Sequence, residues 1–131
     1  MREIVERHID LLTKGGYLIA SILNLRGINH ILSLIFHMET ISVHNLDIME
    51  KVRFSALFNK ERLMTLMCDY FGTFNFGVFN TNKDFPMRII LDLCNKVQLI
   101  LNMIFRNVLK DDGAESKLFS PYLIYIGLKK A

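Results

Sequence analysis

The side chains that could do chemistry in this 131-residue chain are few and scattered. His30, His37 and His44 recur every seventh residue, which on one helix would bring them towards a similar face. A zinc site needs closer spacing and a third or fourth ligand, so these read as ordinary, partly buried histidines. Cys68 and Cys94 lie in apolar stretches. They read as buried free thiols suited to a reducing compartment, with a bridge between them left open. Asp111-Asp112 can be read as an acid or metal pair, but a solvated helix terminus accounts for it more simply. The chain has no Gly-rich phosphate loop, no His-Glu-x-x-His pair and no Cys-x-x-Cys pair. The expectation is a protein with no catalytic residues, no metal and no cofactor.

Composition points to binding. Half the chain is apolar (51%) and 22% is charged, enough to build one buried core spanning residues 1–131. The net charge of +3 is spread among mixed-sign residues without a basic stripe, which argues against a nucleic-acid partner. The N-terminal MREIVERHID is charged and amphipathic, unlike a secretory leader. No 18-residue apolar run appears, so the expectation is a soluble, cytoplasmic protein without a C-terminal transmembrane anchor, at most peripherally membrane-associated. Seven methionines stand out. Met38, Met49, Met64, Met67 and Met87 lie on or near apolar faces, where pliable thioethers fill core gaps or let a surface re-pack around a bound helix.

The elements that must position these groups read as helical. Ile4, Val5, Ile9, Leu11 and Leu12 form the apolar side of a first helix that Gly15-Gly16 ends. A second apolar stretch runs from Tyr17 to about Ile41, with Gly27 inside it at a cost of roughly 1 kcal/mol of helix stability. Asn45 and Asn59 can each cap a further helix, the second carrying Leu63, Leu66, Met67, Tyr70 and Phe71. The segment from Gly72 to Asp84 alternates like a strand in its first half and reads as a loop in its second. Asp84 and Pro86 open a long helix to about Lys110, whose polar residues make one narrow stripe, so it should lie deep in the fold. Ser120-Pro121 can cap a last short helix ending near Lys130. The fold class expected is all-α, with about six to eight helices around a central apolar helix.

A family resemblance runs through these segments. Arg2-Glu3-Ile4-Val5, Ile9 and Gly16-Tyr17 resemble the N-terminal homology segment of the Bcl-2 family. Leu23-Asn24-Leu25-Arg26-Gly27 resembles the BH3 pattern, with Ile28 and Asn29 where the family carries its aspartate. Arg62, Thr65 and Asp69-Tyr70-Phe71 leading to Asn75-Phe76-Gly77 resemble the BH1 region, with Val78 in place of the arginine. Lys110-Asp111-Asp112-Gly113 and Leu118-Phe119 resemble the BH2 region, with Glu115 in place of its tryptophan. A second alignment sets Arg88-Ile89-Ile90 on the family's Arg-Ile-Val and leaves the Asn75 match as coincidence. The divergence is similar to that of viral members.

The resemblance implies a Bcl-2-like helical bundle with a hydrophobic groove that sequesters the BH3 helix of pro-apoptotic proteins, inhibiting apoptosis in a host cell, with mitochondrial association through partners. The helix-in-groove mode is a worked example of peptide recognition. Leu34, Met38 and Ile41 would line one wall, Leu66, Met67 and Tyr70 the other, and Asn75, Phe76 and Gly77 one end, with Arg88 or Lys83 supplying the missing groove charge. The rival expectation is a Bcl-2-like scaffold that homodimerises and blocks a host signalling adaptor.

Overall fold

The computed structural model describes residues 2–36, 38–72, 84–108 and 115–130. It is a mixed α/β fold with five helices and a three-stranded antiparallel sheet, and this overturns the all-α, Bcl-2-like bundle of six to eight helices. In chain order the elements are α1 (Arg2–Leu11), β1 (Tyr17–Leu23), α2 (Ile28–Phe36), α3 (Met38–Val43), a 3-10 turn (Leu46–Met49), α4 (Lys51–Ser55), β2 (Leu63–Phe71), α5 (Phe85–Asn107) and β3 (Tyr122–Lys129). The C-terminal strand inserts between the other two, giving the order β1-β3-β2.

Three segments expected as helix are strand, for one reason. Tyr17–Leu23, Leu63–Phe71 and Tyr122–Lys129 each carry apolar residues on both sides, so apolar periodicity alone cannot separate helix from strand. Their β-branched and aromatic content favours the pleated surface, and pairing across the chain decides it. Asn59 does cap, but it caps a turn: its side chain accepts from the Glu61 amide (2.9 Å) and its carbonyl from those of Arg62 and Leu63 (3.2 and 2.9 Å). Asn45 caps as expected, accepting from the Asp47 amide, but what it opens is a 3-10 turn over Leu46–Met49 that Glu50 breaks before Val52, not one helix through Val52. The helix ahead of Gly15 and the one opened by Asp84 and Pro86 form where expected, but the second does not lie deep in the fold: of its described residues Leu91 alone is buried.

One face of the sheet carries the core. Leu18, Ala20 and Ile22 of β1, Leu123 and Tyr125 of β3, and Leu63, Cys68 and Tyr70 of β2 pack under Val5 and Ile9 of α1 and Phe54, Leu57 and Phe58 of and after α4. Tyr125, fully buried, stacks on Phe58 with ring centroids 3.6 Å apart and planes 4° from parallel. Phe58 in turn meets Phe54 edge-on at 5.3 Å. The tyrosine hydroxyl stays satisfied through Thr65 Oγ1 at 3.0 Å. The ring leans along its own strand over Gly127, where an added Cβ would come within 2.8 Å of it. A glycine at 127 is therefore what lets Tyr125 lie flat beneath Phe58.

Polar staples tie the ends of β3 to the first half of the chain. Lys129 donates through Nζ to the Ile9 and Leu12 carbonyls (2.7 and 2.6 Å), capping the C-terminus of α1, where a cation is favourable. At the other end, fully buried Asn24 donates to the Lys117 and Ser120 carbonyls (3.0 and 2.7 Å), and its amide donates to Pro121. Gly27 has φ +64°, and an added Cβ would fall 2.5 Å from the Leu118 carbonyl oxygen. The reason for that glycine is thus close backbone approach in a left-handed turn. The BH3-like segment Leu23–Gly27 is the end of a strand and this turn, not a helix.

Truncating Phe58 to alanine removes the aromatic ring from this stack and should destabilise the fold by about 3–5 kcal/mol. Tyr125→Phe should cost only about 1 kcal/mol, the worth of its single hydrogen bond to Thr65. Urea unfolding followed by circular dichroism measures both.

Candidate docking face of the sheet

The opposite face of the sheet is the notable surface. Residues paired across strands share a face, and four rows lie here: Tyr17–Leu128–Met64, Ile19–Ile126–Met67, Ser21–Ile124–Asp69 and Leu23–Tyr122–Phe71. All but Ser21 and Asp69 are apolar. Tyr17, Ile19, Leu23, Met64, Phe71 and Tyr122 are exposed, Ile19 by 65%, and Ile124, Ile126 and Leu128 stay half-buried on the central strand. The β2 strand carries a register shift between Thr65 and Met67, so Leu66 has no cross-strand partner and stands 49% exposed beside the Met64–Met67 edge.

Two strand spacings set the width of this face at about 10 Å, and four rows give a length of about 20 Å. Those are the diameter and the length of roughly four turns of α-helix. The two polar residues sit in one row. Asp69 is paired with Lys51 and accepts from the Tyr70 amide at 2.6 Å. Burial pushes its carboxyl up, but the hydrogen bonds from Lys51 and Tyr70 hold it below its usual value. Lys51 also lies over the Tyr70 ring, 5.1 Å from its centre, so the charge is anchored at the β2 edge. The Cys68 thiol, half-buried on the core side of the same strand, is pushed up chiefly by burial, which keeps it protonated and unreactive.

The residues expected to line a groove are not brought together as one. Met67 lies on the open face of β2 and Leu66 is exposed at the register shift beside it, whereas Tyr70, two strand positions beyond Cys68, points into the core and is 7% exposed. Leu34 is exposed on α2, Met38 is exposed at the start of α3, and Ile41 is half-buried on α3. Arg88 lies in the first turns of α5. Asn75, Phe76, Gly77 and Lys83 fall outside the described residues, as do His37 and the 110–113 segment. A strand places alternate residues on opposite faces, so a helical stripe such as Leu66, Met67 and Tyr70 cannot survive as one wall. What sequence reasoning missed is the β1–β3 half of the face. Tyr17, Ile19, Ser21 and Leu23, with Tyr122, Ile124, Ile126 and Leu128, show no period of two in the sequence, because the residues between them are mostly apolar as well.

Elsewhere the charged side chains act as ties. Arg62 holds Glu6 (2.9 Å) and Asp10 (2.6 Å) of α1, and Asp10 leads the contacts that raise its pKa. Glu50 accepts from Arg26 and from Lys117 (3.2 Å), joining the 24–27 turn, the 115–120 segment and the start of α4. Among the described residues no group of three or more His, Cys, Asp or Glu could hold a metal ion, and no helix is long and apolar enough to cross a membrane. No protein-family model matches the sequence, and neither a curated protein nor a solved structure matches the chain.

The Glu50 tie has a pH signature. Hydrogen bonds from Arg26 and then Lys117 hold its carboxyl below the ordinary 4.5. A depressed folded-state value means the stabilisation is complete above the unfolded pKa and disappears as pH falls through the folded one. Glu50→Gln should therefore flatten the acid limb of stability below pH 4.5, read by urea titrations at several pH values.

Proposed function

We propose that this protein is a binding module that captures an amphipathic helix of a partner protein on the open face of its sheet. The observation that carries the reading is the run of four cross-strand rows, three of them wholly apolar, at the surface of the described residues. A contiguous apolar patch of this kind is expensive to expose and marks an interaction site. Its width suits one helix, and Met64 and Met67 on its β2 side can re-pack around different ligands. The row containing Ser21 and Asp69 gives a bound helix one place for a polar residue and so a register.

The partner class is the one the family resemblance implies, an amphipathic helix such as a BH3 segment, and death inhibition by sequestration follows if BH3 helices are the ligands. The seat differs: a sheet face replaces the groove between helices. Burial on such a face is driven by apolar area, with the polar row supplying orientation more than affinity.

Titration of the full chain with BH3 peptides and with unrelated amphipathic helices, followed by calorimetry, tests this. Binding should weaken at least about tenfold in Ile19→Glu and in Met64→Glu, which place a charge at exposed positions of the face. Tyr70→Ala should instead lower stability by about 3 kcal/mol because its ring is in the core. If no amphipathic helix binds, or if binding ignores both glutamates, the reading is wrong.

A further inference from the structure

A second apolar surface lies on α5 and has a different periodicity. Leu91 is the buried residue of this 23-residue helix. Met87, Cys94, Leu101 and Phe105 are half-buried on the same side of the helix as Leu91. A separate flank carries Ile90, Leu93, Val97, Ile100 and Ile104, each 37–61% exposed. Their spacing alternates three and four residues, the seam pattern of a two-stranded coiled coil. Ile90, Val97 and Ile104 occupy the a positions and Leu93 and Ile100 the d positions; β-branched a with Leu93 at d suits two strands, a preference that Ile100 at the other d position does not add to. No charged residue falls in the seam. Arg88, Asp92, Lys96 and Arg106 all lie off it.

We infer that α5 pairs with α5 of a second copy of this chain, forming a two-fold symmetric dimer. A seam that is apolar throughout is complementary to itself, as a two-fold interface requires. Ile89 and Met103, at flanking g positions, are 56% exposed and extend it. Together these seven residues leave on the order of 600 Å² uncovered, at the upper end of the roughly 300–600 Å² of the largest apolar patch on a typical monomer and most of the ~800 Å² per partner of a stable interface. The helix is about 35 Å long, enough for more than two heptads of contact. The inference is independent of helix capture by the sheet, which uses different residues.

Sedimentation equilibrium of the full chain, with reductant present so that Cys94 beside the seam stays a thiol, tests it. The wild type should be a dimer. Leu93→Glu/Ile100→Glu should weaken association by on the order of 100-fold, because two charges per copy would be buried in an apolar seam. Val97→Ala/Ile100→Ala keeps high helix propensity and should still weaken it at least about tenfold. Leu99→Glu, a charge on the same helix off the seam, and Ile19→Glu, on the sheet, should leave the dimer intact. A wild-type chain that is monomeric at about 100 µM overturns the inference, as does a dimer that survives the alanine pair. Peptide binding measured on the α5 variants separates this result from the sheet reading, since it should persist when the dimer is lost.

Discussion

Everything in this fold depends on β3 finding both its neighbours. The strand comes last in the described chain, yet it is the central one, paired with β1 on one edge and β2 on the other. Neither of those strands pairs with the other, so without β3 there is no sheet. Its inward residues, Leu123 and Tyr125, are fully buried, and the Tyr125 ring is the plate on which Phe58 and then Phe54 stack. The polar ties follow from the same insertion. Lys129 can close the end of α1, and Asn24 can hold the 117–121 backbone, because β3 brings both ends of its own segment back to the N-terminal half. Such a topology closes long loops before its pairing is rewarded, an entropic cost that short local helices avoid.

Covering one face of a three-stranded sheet leaves the other. Here α1 and α4 supply the cover for the core side, and the far side keeps apolar rows at the surface. The long helix that a purely helical reading sets deep in a bundle instead buries only Leu91 and shows an exposed apolar flank. An antiparallel sheet with one solvated face normally alternates apolar-in and polar-out. This one alternates apolar-in and apolar-out, interrupted by Ser21 and Asp69. The two surfaces share a physical logic: residues suited to burial stand where this chain alone does not bury them. That logic underlies both the proposed helix capture on the sheet and the proposed pairing through α5.

The local signals were legible where punctuation is strong. Gly15 after an amphipathic ten-residue helix, Asn45 capping a short 3-10 turn, and Asp84 with Pro86 at the start of α5 each mark an element boundary, although Asp84 makes no capping hydrogen bond through its side chain. The strands were not legible because their two faces are both apolar, which erases the period of two that a half-buried strand shows. Gly27 was legible as a position that needs close packing, but the neighbour, the Leu118 backbone, is 91 residues away in sequence. Of the expected groove, Met67 is on the open face with Leu66 exposed at the register shift beside it, and Tyr70 falls in the core because a strand does not keep helical spacing. The aromatic core pair Phe58–Tyr125 carries no local signal at all, since it joins residues on opposite sides of the chain.

The uncovered sheet face is the centre of this account, and side-chain methyl NMR with a soluble paramagnetic agent tests it most directly. In the full chain without ligand, the methyls of Ile19, Ile124 and Ile126 should broaden strongly, while those of Ile9, Leu63 and Leu123 keep their intensity. Methyls of Ile124 and Ile126 as protected as that of Leu123 would show the face to be covered and contradict the account.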